Sequence, residues 1–385
     1  MRVLVADDSV LFRRLLADLL ASLPGVEVVA TAANGRIALQ KVRELKPDLL
    51  TLDIEMPDMD GLAVLDALRQ AGGPEVETIM VSALSRRGGD LTIRALEKGA
   101  FDFITKPDAA SPEAAREALV RELGPRIRAA GHRREVRAIL KGRPAAAATQ
   151  AGVTQAGVTQ AAVPGPSPQP VQRESGLDGI ATRMQRLSQP GKPQLVLIGV
   201  STGGPVALGQ LLPAIPGDIG VPILIVQHMP PIFTRSLAES LALKCAVDVR
   251  EAVHGETPRP GTVYIAPGGR QMRLGGAEEN GPVIELTDDP PENNCRPAVD
   301  YLFRSVAHRF PGRATAIILT GMGSDGTLGL RLLKRHGCFV IAQDEQSCVV
   351  YGMPKAAVEA GVTDVVLPLN SIAGRLAAVV RGGRA

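Results

Sequence analysis

Short apolar runs alternate with amphipathic stretches through the first 123 residues of the chain. The runs are rich in Val, Ile, Leu and Thr and predict strands, whereas the spacing between them predicts helices. The predicted strands are 2–6, 26–31, 48–54, 78–82 and 102–105, and the helices are 9–21, 35–45, 61–70 and 90–98. Ser111, Pro112 and Glu113 signal the start of a fifth helix. Five such units in series predict a doubly wound α/β domain with a five-stranded parallel sheet.

A second region with the same alternation covers residues 193–385. Its apolar runs are 195–200, 221–226, 262–266, 283–286, 314–319, 338–342 and 364–367. Helical segments separate most of them, which predicts a larger, mostly parallel doubly wound α/β domain. Part of 247–286 is expected to form an antiparallel hairpin.

Residues 124–192 separate the two regions and differ from both in composition. The stretch 126–143 carries seven Lys or Arg residues and one acid, and residues 144–172 contain the repeat Ala-Gly-Val-Thr-Gln followed by a proline-rich run. A solvated connecting helix is the simpler interpretation of the basic arm, with a nucleic-acid or acidic-partner site as the alternative. We expect the rest to be a tether, so the predicted divisions are 1–123, 124–192 and 193–385.

The composition excludes several classes of protein. The 43 Lys and Arg residues nearly balance 40 Asp and Glu residues, and only ten of 385 residues are aromatic, which argues against a nucleic-acid binder. The four cysteines lack any Cys-x-x-Cys pair, so neither a disulfide framework nor a zinc site is expected. No apolar run approaches the length of a membrane span. These features predict a soluble cytoplasmic protein that is not an integral membrane protein.

Polar residues follow successive predicted strands of the first region, where a doubly wound sheet gathers its ligands. They are Asp7 and Asp8 after the first strand, Asp53 at the third, Ser82 at the fourth and Lys106 after the fifth. Any single acid would pass for a solvated loop residue, but the ordered set favours a site. Clustered carboxylates suit a hard cation such as Mg²⁺, beside which a lysine and a hydroxyl would bind phosphoryl oxygens.

The segments VADDSVLFRRLL, LDIEMPDMDGL, MVSALS and DFITKP closely resemble the receiver domain of two-component response regulators. The resemblance implies a flavodoxin-like fold and phosphorylation of Asp53 by a histidine kinase. The Mg²⁺ ligands that it implies are Asp7, Asp8, Asp53 and the carbonyl of Glu55. The residues that it implies as the phosphate-sensing switch are Ser82, Phe103 and Lys106. An ordinary core role also fits Phe103.

The first predicted strand of the second region ends in a serine between glycines. Residues 195–204 read LVLIGVSTGG, so that Gly199 and Gly203 flank Ser201. Such glycines permit a sharp strand-to-helix turn that exposes the hydroxyl as a nucleophile. The same turn would also bind a phosphate on its backbone N–H groups. The serine motif alone leaves both interpretations open.

A histidine and an aspartate follow two further apolar strands. Of the five histidines, His228 alone stands directly at a strand end, in ILIVQHMPP, and Asp325 follows a strand in AIILTGMGSDGTLG. Taken singly, a core histidine and an N-cap for a helix at 327–335 remain open. Together with Ser201 at a third strand end, they predict a Ser-His-Asp triad.

In this triad Ser201 would be the nucleophile, His228 would take and return its proton, and Asp325 would orient the imidazole. The backbone N–H groups of Thr202 and Met322 are the predicted oxyanion hole, because glycine-rich turns aim such groups inward. No cofactor is expected for this hydrolytic site.

The segments GVSTGGP, QHMPPIFTRSLAE, YIAPGGRQM, LTGMGSDGTLGL and IAQDEQSCVVYGMPKAAVEAG closely resemble the chemotaxis-type protein-glutamate methylesterase domain. The resemblance implies hydrolysis of glutamate γ-methyl esters on methyl-accepting chemoreceptors, with release of methanol, and deamidation of receptor glutamines. It also implies that the unphosphorylated receiver docks on the hydrolase and obstructs its site. A receiver-gated adaptor whose hydrolase domain does not act on chemoreceptors is the alternative.

The chain departs locally from this family. Many members carry His-Arg-Pro-Ser where this sequence has Cys295-Arg296-Pro297-Ala298. The difference weakens any inference about receptor contacts there and leaves Cys295 as an additional thiol. A small, partly buried filler is the simpler interpretation of that cysteine.

Overall fold

The computed structural model describes residues 1–70, 75–107, 111–140, 193–276 and 281–382. The N-terminal domain is a parallel sheet in the order β2-β1-β3-β4-β5. Its strands are β1 (Arg2–Ala6), β2 (Glu27–Ala32), β3 (Leu49–Asp53), β4 (Glu77–Ser82) and β5 (Asp102–Thr105). Its helices are α1 (Val10–Ala21), α2 (Gly35–Leu45), α3 (Gly61–Arg69), α4 (Arg86–Glu97) and α5 (Pro112–Leu140).

Capping side chains explain where two of these helices begin. Ser111 Oγ accepts a hydrogen bond from the N–H of Ala114, as its position before Pro112 predicted. Helix α4 begins at Arg86, four residues before the predicted start, because Ser85 accepts from the N–H of Gly88. The sequence did not predict this first turn because glycine has a low helix propensity and the turn contains Gly88 and Gly89.

Helix α5 continues past residue 123 into the basic arm. Its buried face includes Leu123, Ile127 and Ala130, which pack on the N-terminal sheet core. Three of its arginines pair with acids of the same domain: Arg126 with Asp102, Arg133 with Glu77 and Arg134 with Asp48. Three positive charges of the basic arm are therefore used in ion pairs within the N-terminal domain. Residues 141–192, which include the predicted tether, lie outside the described residues.

Seven parallel strands form the main sheet of the C-terminal domain, in the order β14-β13-β12-β6-β7-β9-β8. The strands are β6 (Leu195–Val200), β7 (Ile223–Gln227), β8 (Asp248–Glu251), β9 (Thr262–Ile265), β12 (Ala314–Ile318), β13 (Phe339–Gln343) and β14 (Val365–Leu367). The antiparallel hairpin is β10 (Gln271–Gly275) with β11 (Val283–Thr287). The helices are α6 (Gly204–Leu211), α7 (Phe233–Ala242), α8 (Val299–Ala307), α9 (Thr327–Arg335), α10 (Met353–Glu359) and α11 (Leu369–Val380).

Strands β6, β7, β12 and β13 are buried along their whole length. Burial on both faces is typical of parallel strands covered by helices, and it explains their continuous apolar runs. The predicted fold class is confirmed for both domains. None of the described helices combines the length and the apolar character needed to cross a bilayer.

The two domains meet at a contact that we call the docking interface, where α4 packs on α6 and α7, and β5 reaches α7 through Phe103. Phe103 stacks on Phe233 with ring centroids 4.8 Å apart. At the rim, Glu97 accepts hydrogen bonds from Ser240 and Lys244. An apolar centre with a polar rim is the usual composition of a protein interface.

Candidate active site and phosphorylation site

An acidic pocket lies where the strand order of the N-terminal sheet reverses, between β1 and β3. Asp7 and Asp8 follow β1 and Asp53 ends β3, and carboxylate oxygens of the three lie within 4.8 Å of one another. The pocket has a volume of about 230 Å³. The carboxyl ends of strands beside such a reversal are where doubly wound sheets bind ligands.

Lys106 forms ion pairs with two carboxylates of this acidic cluster. Its Nζ lies 2.8 Å from Asp53 Oδ2 and 2.9 Å from Asp7 Oδ2. Burial raises the pKa of Asp53 to about 6; the Lys106 ammonium opposes this rise, whereas the charges of Asp7 and Asp8 add to it. Burial also raises the pKa of Asp7. A divalent cation would relieve this repulsion, and the oxygen donors present suit Mg²⁺.

The remaining residues predicted for this pocket lie at different distances from it. Ser82 and Glu55 both line it, and the buried Ser82 hydroxyl donates to the Gly88 carbonyl 3.2 Å away. The Glu55 carboxylate faces outward to Arg87 at 3.2 Å, which leaves its backbone carbonyl as the group available to a metal. Phe103 is not among the pocket residues and lies at the docking interface.

In the C-terminal domain, the three predicted catalytic residues follow three adjacent strands of the sheet. Ser201 comes directly after β6, His228 directly after β7, and Asp325 in the loop after β12. The last register pair of β6 and β7 is Val200 with Gln227, so Ser201 and His228 continue side by side. Helix α6 begins at Gly204, three residues after Ser201, and its N-cap Gly203 permits this sharp turn by taking a φ of 77°.

His228 and Asp325 form a direct pair. The imidazole Nε2 lies 2.8 Å from Asp325 Oδ2, and both side chains are largely buried. A carboxylate in this position fixes the imidazole tautomer and stabilises the imidazolium. The contact brings together residues 97 positions apart in the sequence.

Backbone and side-chain donors hold the Asp325 carboxylate. The N–H groups of Val299 and Asp300, in the first turn of α8, donate at 2.7 and 3.0 Å, and Asn293 Nδ2 donates at 2.8 Å. Burial acts to raise the pKa of Asp325, but the His228 contact and these donors outweigh it and lower that pKa. Helix α9 has Gly326 as its N-cap with no side-chain cap, so Asp325 does not serve as the N-cap of that helix.

The second imidazole nitrogen of His228 faces a thiol. Cys295 Sγ lies 3.5 Å from His228 Nδ1. Within the described parts of the chain, the Ser201 hydroxyl makes no hydrogen bond, although Ser201 and His228 directly follow adjacent strands. Burial acts to lower the pKa of His228, but Asp325 and Cys295 outweigh it and raise that pKa to about 9.

Two glycine-rich turns carry the predicted oxyanion donors. Thr202 follows Ser201, and Met322 lies between Gly321 and Gly323. Among the contacts of the described residues, neither backbone N–H donates to another protein group. A Cβ at Gly321 would lie 2.7 Å from that of Ser201, so only glycine lets the two turns approach this closely. The Thr202 hydroxyl donates to Asp102 of the N-terminal domain at 3.1 Å.

Sequence reasoning missed two residues of this site. Asn293, in a loop with φ of 52°, bridges Asp325 and Asp300 through its amide. Cys295 is partly buried, as expected, but its Sγ contacts His228 Nδ1, a contact that the sequence did not indicate. The Asn-Asn-Cys run before the Pro-Ala turn was the available signal, since consecutive asparagines favour left-handed loop conformations.

Comparisons with known proteins match each of the two domains to a family. The family model of CheB methylesterase matches residues 196–376, and that of the response regulator receiver domain matches residues 3–116. A protein-glutamate methylesterase/protein-glutamine glutaminase of Desulfotalea psychrophila is 49% identical and covers 99% of both chains. A protein of the same name from Moorella thermoacetica is 41% identical over 99% of this chain and 98% of its own.

Solved structures of the separate domains are also similar to this chain. The crystal structure of the Thermotoga maritima CheB methylesterase catalytic domain is 44% identical, covering 49% of this chain and 100% of that one, with a TM-score of 0.48. The response regulator domain of Thermotoga maritima CheB is 42% identical over 34% of this chain and 95% of its own, with a TM-score of 0.31. On the full-length identities and the two family models, the chain belongs to the family of CheB methylesterases that carry a receiver domain.

Proposed function

We propose that this chain is a phosphorylation-activated protein-glutamate methylesterase of chemotaxis adaptation, which also deamidates receptor glutamines. The observation that carries the proposal is the His228–Asp325 pair at 2.8 Å, set beside Ser201 on adjacent strands. Relatives that match the whole chain bear the name of this activity.

The proposed acyl transfer uses the side chains in fixed roles. The Ser201 oxygen attacks the ester carbonyl while His228 Nδ1, the nitrogen not held by Asp325, takes the hydroxyl proton. The same proton then passes to the methoxy oxygen, so methanol leaves and an acyl-serine remains. Water attacks the acyl-serine by the reverse sequence and restores the hydroxyl. An amide substrate follows the same course with ammonia as the leaving group.

The N–H groups of Thr202 and Met322 would stabilise the oxyanion formed in both steps. Each such donor contributes about 3–4 kcal/mol to transition-state stabilisation in well-studied hydrolases. Among the described residues neither N–H group has a protein acceptor, which supports this role, because a donor already satisfied by the protein would not be available.

In the receiver, Asp53 is the proposed phosphorylation site and a histidine kinase the phosphodonor. Asp7, Asp8, Asp53 and the Glu55 carbonyl would hold Mg²⁺, which supplies charge neutralisation for phosphoryl transfer. Lys106 would bind a phosphoryl oxygen, and Ser82 would hydrogen-bond another.

Control of the esterase is proposed to act through the docking interface. The receiver contacts Thr202, the neighbour of the nucleophile, through Asp102. Phosphorylation would reposition Ser82 and Phe103, and the stacking of Phe103 on Phe233 connects that change to the interface. Undocking would then expose the catalytic turn to methyl-accepting chemoreceptors. A cytoplasmic setting stays a prediction of the sequence.

The decisive experiment measures methanol released from methylated receptor membranes, with and without a small phosphodonor and Mg²⁺. We expect release that the phosphodonor stimulates, and a loss of roughly a millionfold in Ser201→Ala if the triad acts as a unit. Ser371→Ala, an exposed serine of α11, is the matched control. Unchanged release in Ser201→Ala refutes the nucleophile. Receptor binding without any release by the wild type favours the adaptor instead.

A further inference from the structure

The thiol of Cys295 lies inside the proposed active site but has no part in the proposed reaction. Its Sγ is 3.5 Å from His228 Nδ1, and one ligand atom each from Cys295, His228 and Asp325 falls within a 4.8 Å cluster. The spacing of cysteines along the sequence gave no indication of a metal site, because the second ligand is a histidine 67 positions away.

The distance between these two atoms is that of a hydrogen bond to sulfur, and it also matches the separation of two ligands on one zinc ion. Zinc binds thiolate sulfur at about 2.3 Å and imidazole nitrogen at about 2.0–2.1 Å with tetrahedral angles, which separates the two ligand atoms by about 3.6 Å. The observed 3.5 Å therefore needs almost no rearrangement. A soft sulfur beside an imidazole selects Zn²⁺ over Mg²⁺, whereas the receiver pocket offers only oxygen.

The surroundings hold both ligands in place. Asp325 holds Nε2 at 2.8 Å and leaves Nδ1 facing the Cys295 thiol, in the carboxylate–histidine arrangement that supports metal-bound imidazoles. Two backbone hydrogen bonds between Glu292 and Cys295, of 3.1 and 2.8 Å, close the turn that carries the thiol. Both ligand residues are partly exposed, so an ion from solvent can reach them.

We propose that Cys295 and His228 form a Zn²⁺ site, and that zinc bound there reversibly blocks the esterase. Binding forms Zn–S and Zn–Nδ1 bonds, the thiol proton and the Nδ1 proton of the imidazolium both pass to solvent, and water completes the coordination. The metal then occupies the nitrogen that would accept the Ser201 proton. Inhibition rests on the proposed function, whereas binding does not. Two protein ligands make the site weaker than a four-ligand structural zinc site.

The test is a zinc titration of the full chain against a fluorescent zinc chelator, with excess Mg²⁺ present to occupy the receiver. Wild type and the matched control Cys245→Ser, a thiol beyond the far end of α7, should bind one equivalent with equal affinity. Cys295→Ser should bind about tenfold more weakly or worse. In parallel, zinc should suppress methanol release by the wild type but not by Cys295→Ser, and a zinc-selective chelator should restore it.

The outcomes separate this proposal from the proposed function. Equal zinc affinity in wild type and Cys295→Ser overturns the site. If zinc binds through Cys295 but does not slow methanol release, the proposal that zinc inhibits the esterase by occupying His228 Nδ1 is wrong. Absence of methanol release from zinc-free wild type contradicts the proposed function and leaves the binding result intact. Cys295→Ala repeats each measurement without a hydroxyl, and release by the zinc-free variants shows that they fold.

Discussion

Gly89 in helix α4 leaves little room for a side chain at the docking interface. A Cβ at this position would lie 2.8 Å from Ser236 Oγ and 3.5 Å from Ile232 Cγ2 of the C-terminal domain. Gly89→Ala therefore inserts an atom between the domains. Because the residue lies inside a helix, alanine favours the helix itself by up to about 1 kcal/mol. The substitution should leave the receiver folded and disturb only docking.

The magnitude follows from the size of the overlap. A single forced contact of this kind costs about 1–3 kcal/mol in packed interiors. If that cost falls on the docked state, the docking equilibrium weakens about 5- to 150-fold. Methanol release by the unphosphorylated chain should then rise by a factor in this range, up to the level that the phosphodonor produces.

Two variants make this test specific. Gly124→Ala also places alanine in a helix, but its Cβ meets nothing closer than 3.6 Å, so it should leave release unchanged. Ser236→Ala removes the oxygen and leaves a Cβ at 3.6 Å from the new methyl, so the double variant should return towards wild-type release. If Gly89→Ala releases methanol at the wild-type rate while melting at least as high as wild type, docking does not restrain the enzyme.

Three further predictions concern the two sites. Asp53→Ala should abolish stimulation of methanol release by a phosphodonor; persistent stimulation would place the phosphate elsewhere. Asp325 and Cys295 outweigh burial and raise the pKa of His228 to about 9, so little of the imidazole is neutral at pH 7. The rate of methanol release should therefore increase as the pH rises towards 9. Asp325→Asn should slow methanol release and move the inflection of the pH–rate profile to lower pH. If the inflection does not move, the titrating group is not His228. Because burial raises the pKa of Asp53 to about 6, protons should compete with Mg²⁺ for this carboxylate below that pH. Calorimetric titration with Mg²⁺ should therefore show weaker binding at pH 5.5 than at pH 8.

The strand and helix positions were predictable because apolar periodicity is a local property. Residues such as Ser111 and Ser201 also carried local signals, a cap and a glycine turn. Asn293 and Cys295 did not, since their roles arise from a loop that reaches Asp325 and His228 only after the sheet has formed. A connecting helix was the simpler interpretation of residues 126–143, but its continuity with α5 and its pairing with acids of the N-terminal domain were not predicted, because those acids are distant in the sequence.

Strand β5 touches both sites with its two ends. Lys106, which follows its last residue, holds Asp53, while Asp102, its first residue, accepts the hydrogen bond from Thr202. At about 3.3 Å per residue, the stretch from Asp102 to Lys106 spans only about 13 Å. Under the proposed function, phosphorylation of Asp53 could therefore affect the catalytic turn without a long chain of coupled side chains. A displacement of this one short strand would move Asp102 and so change its contact with Thr202 directly.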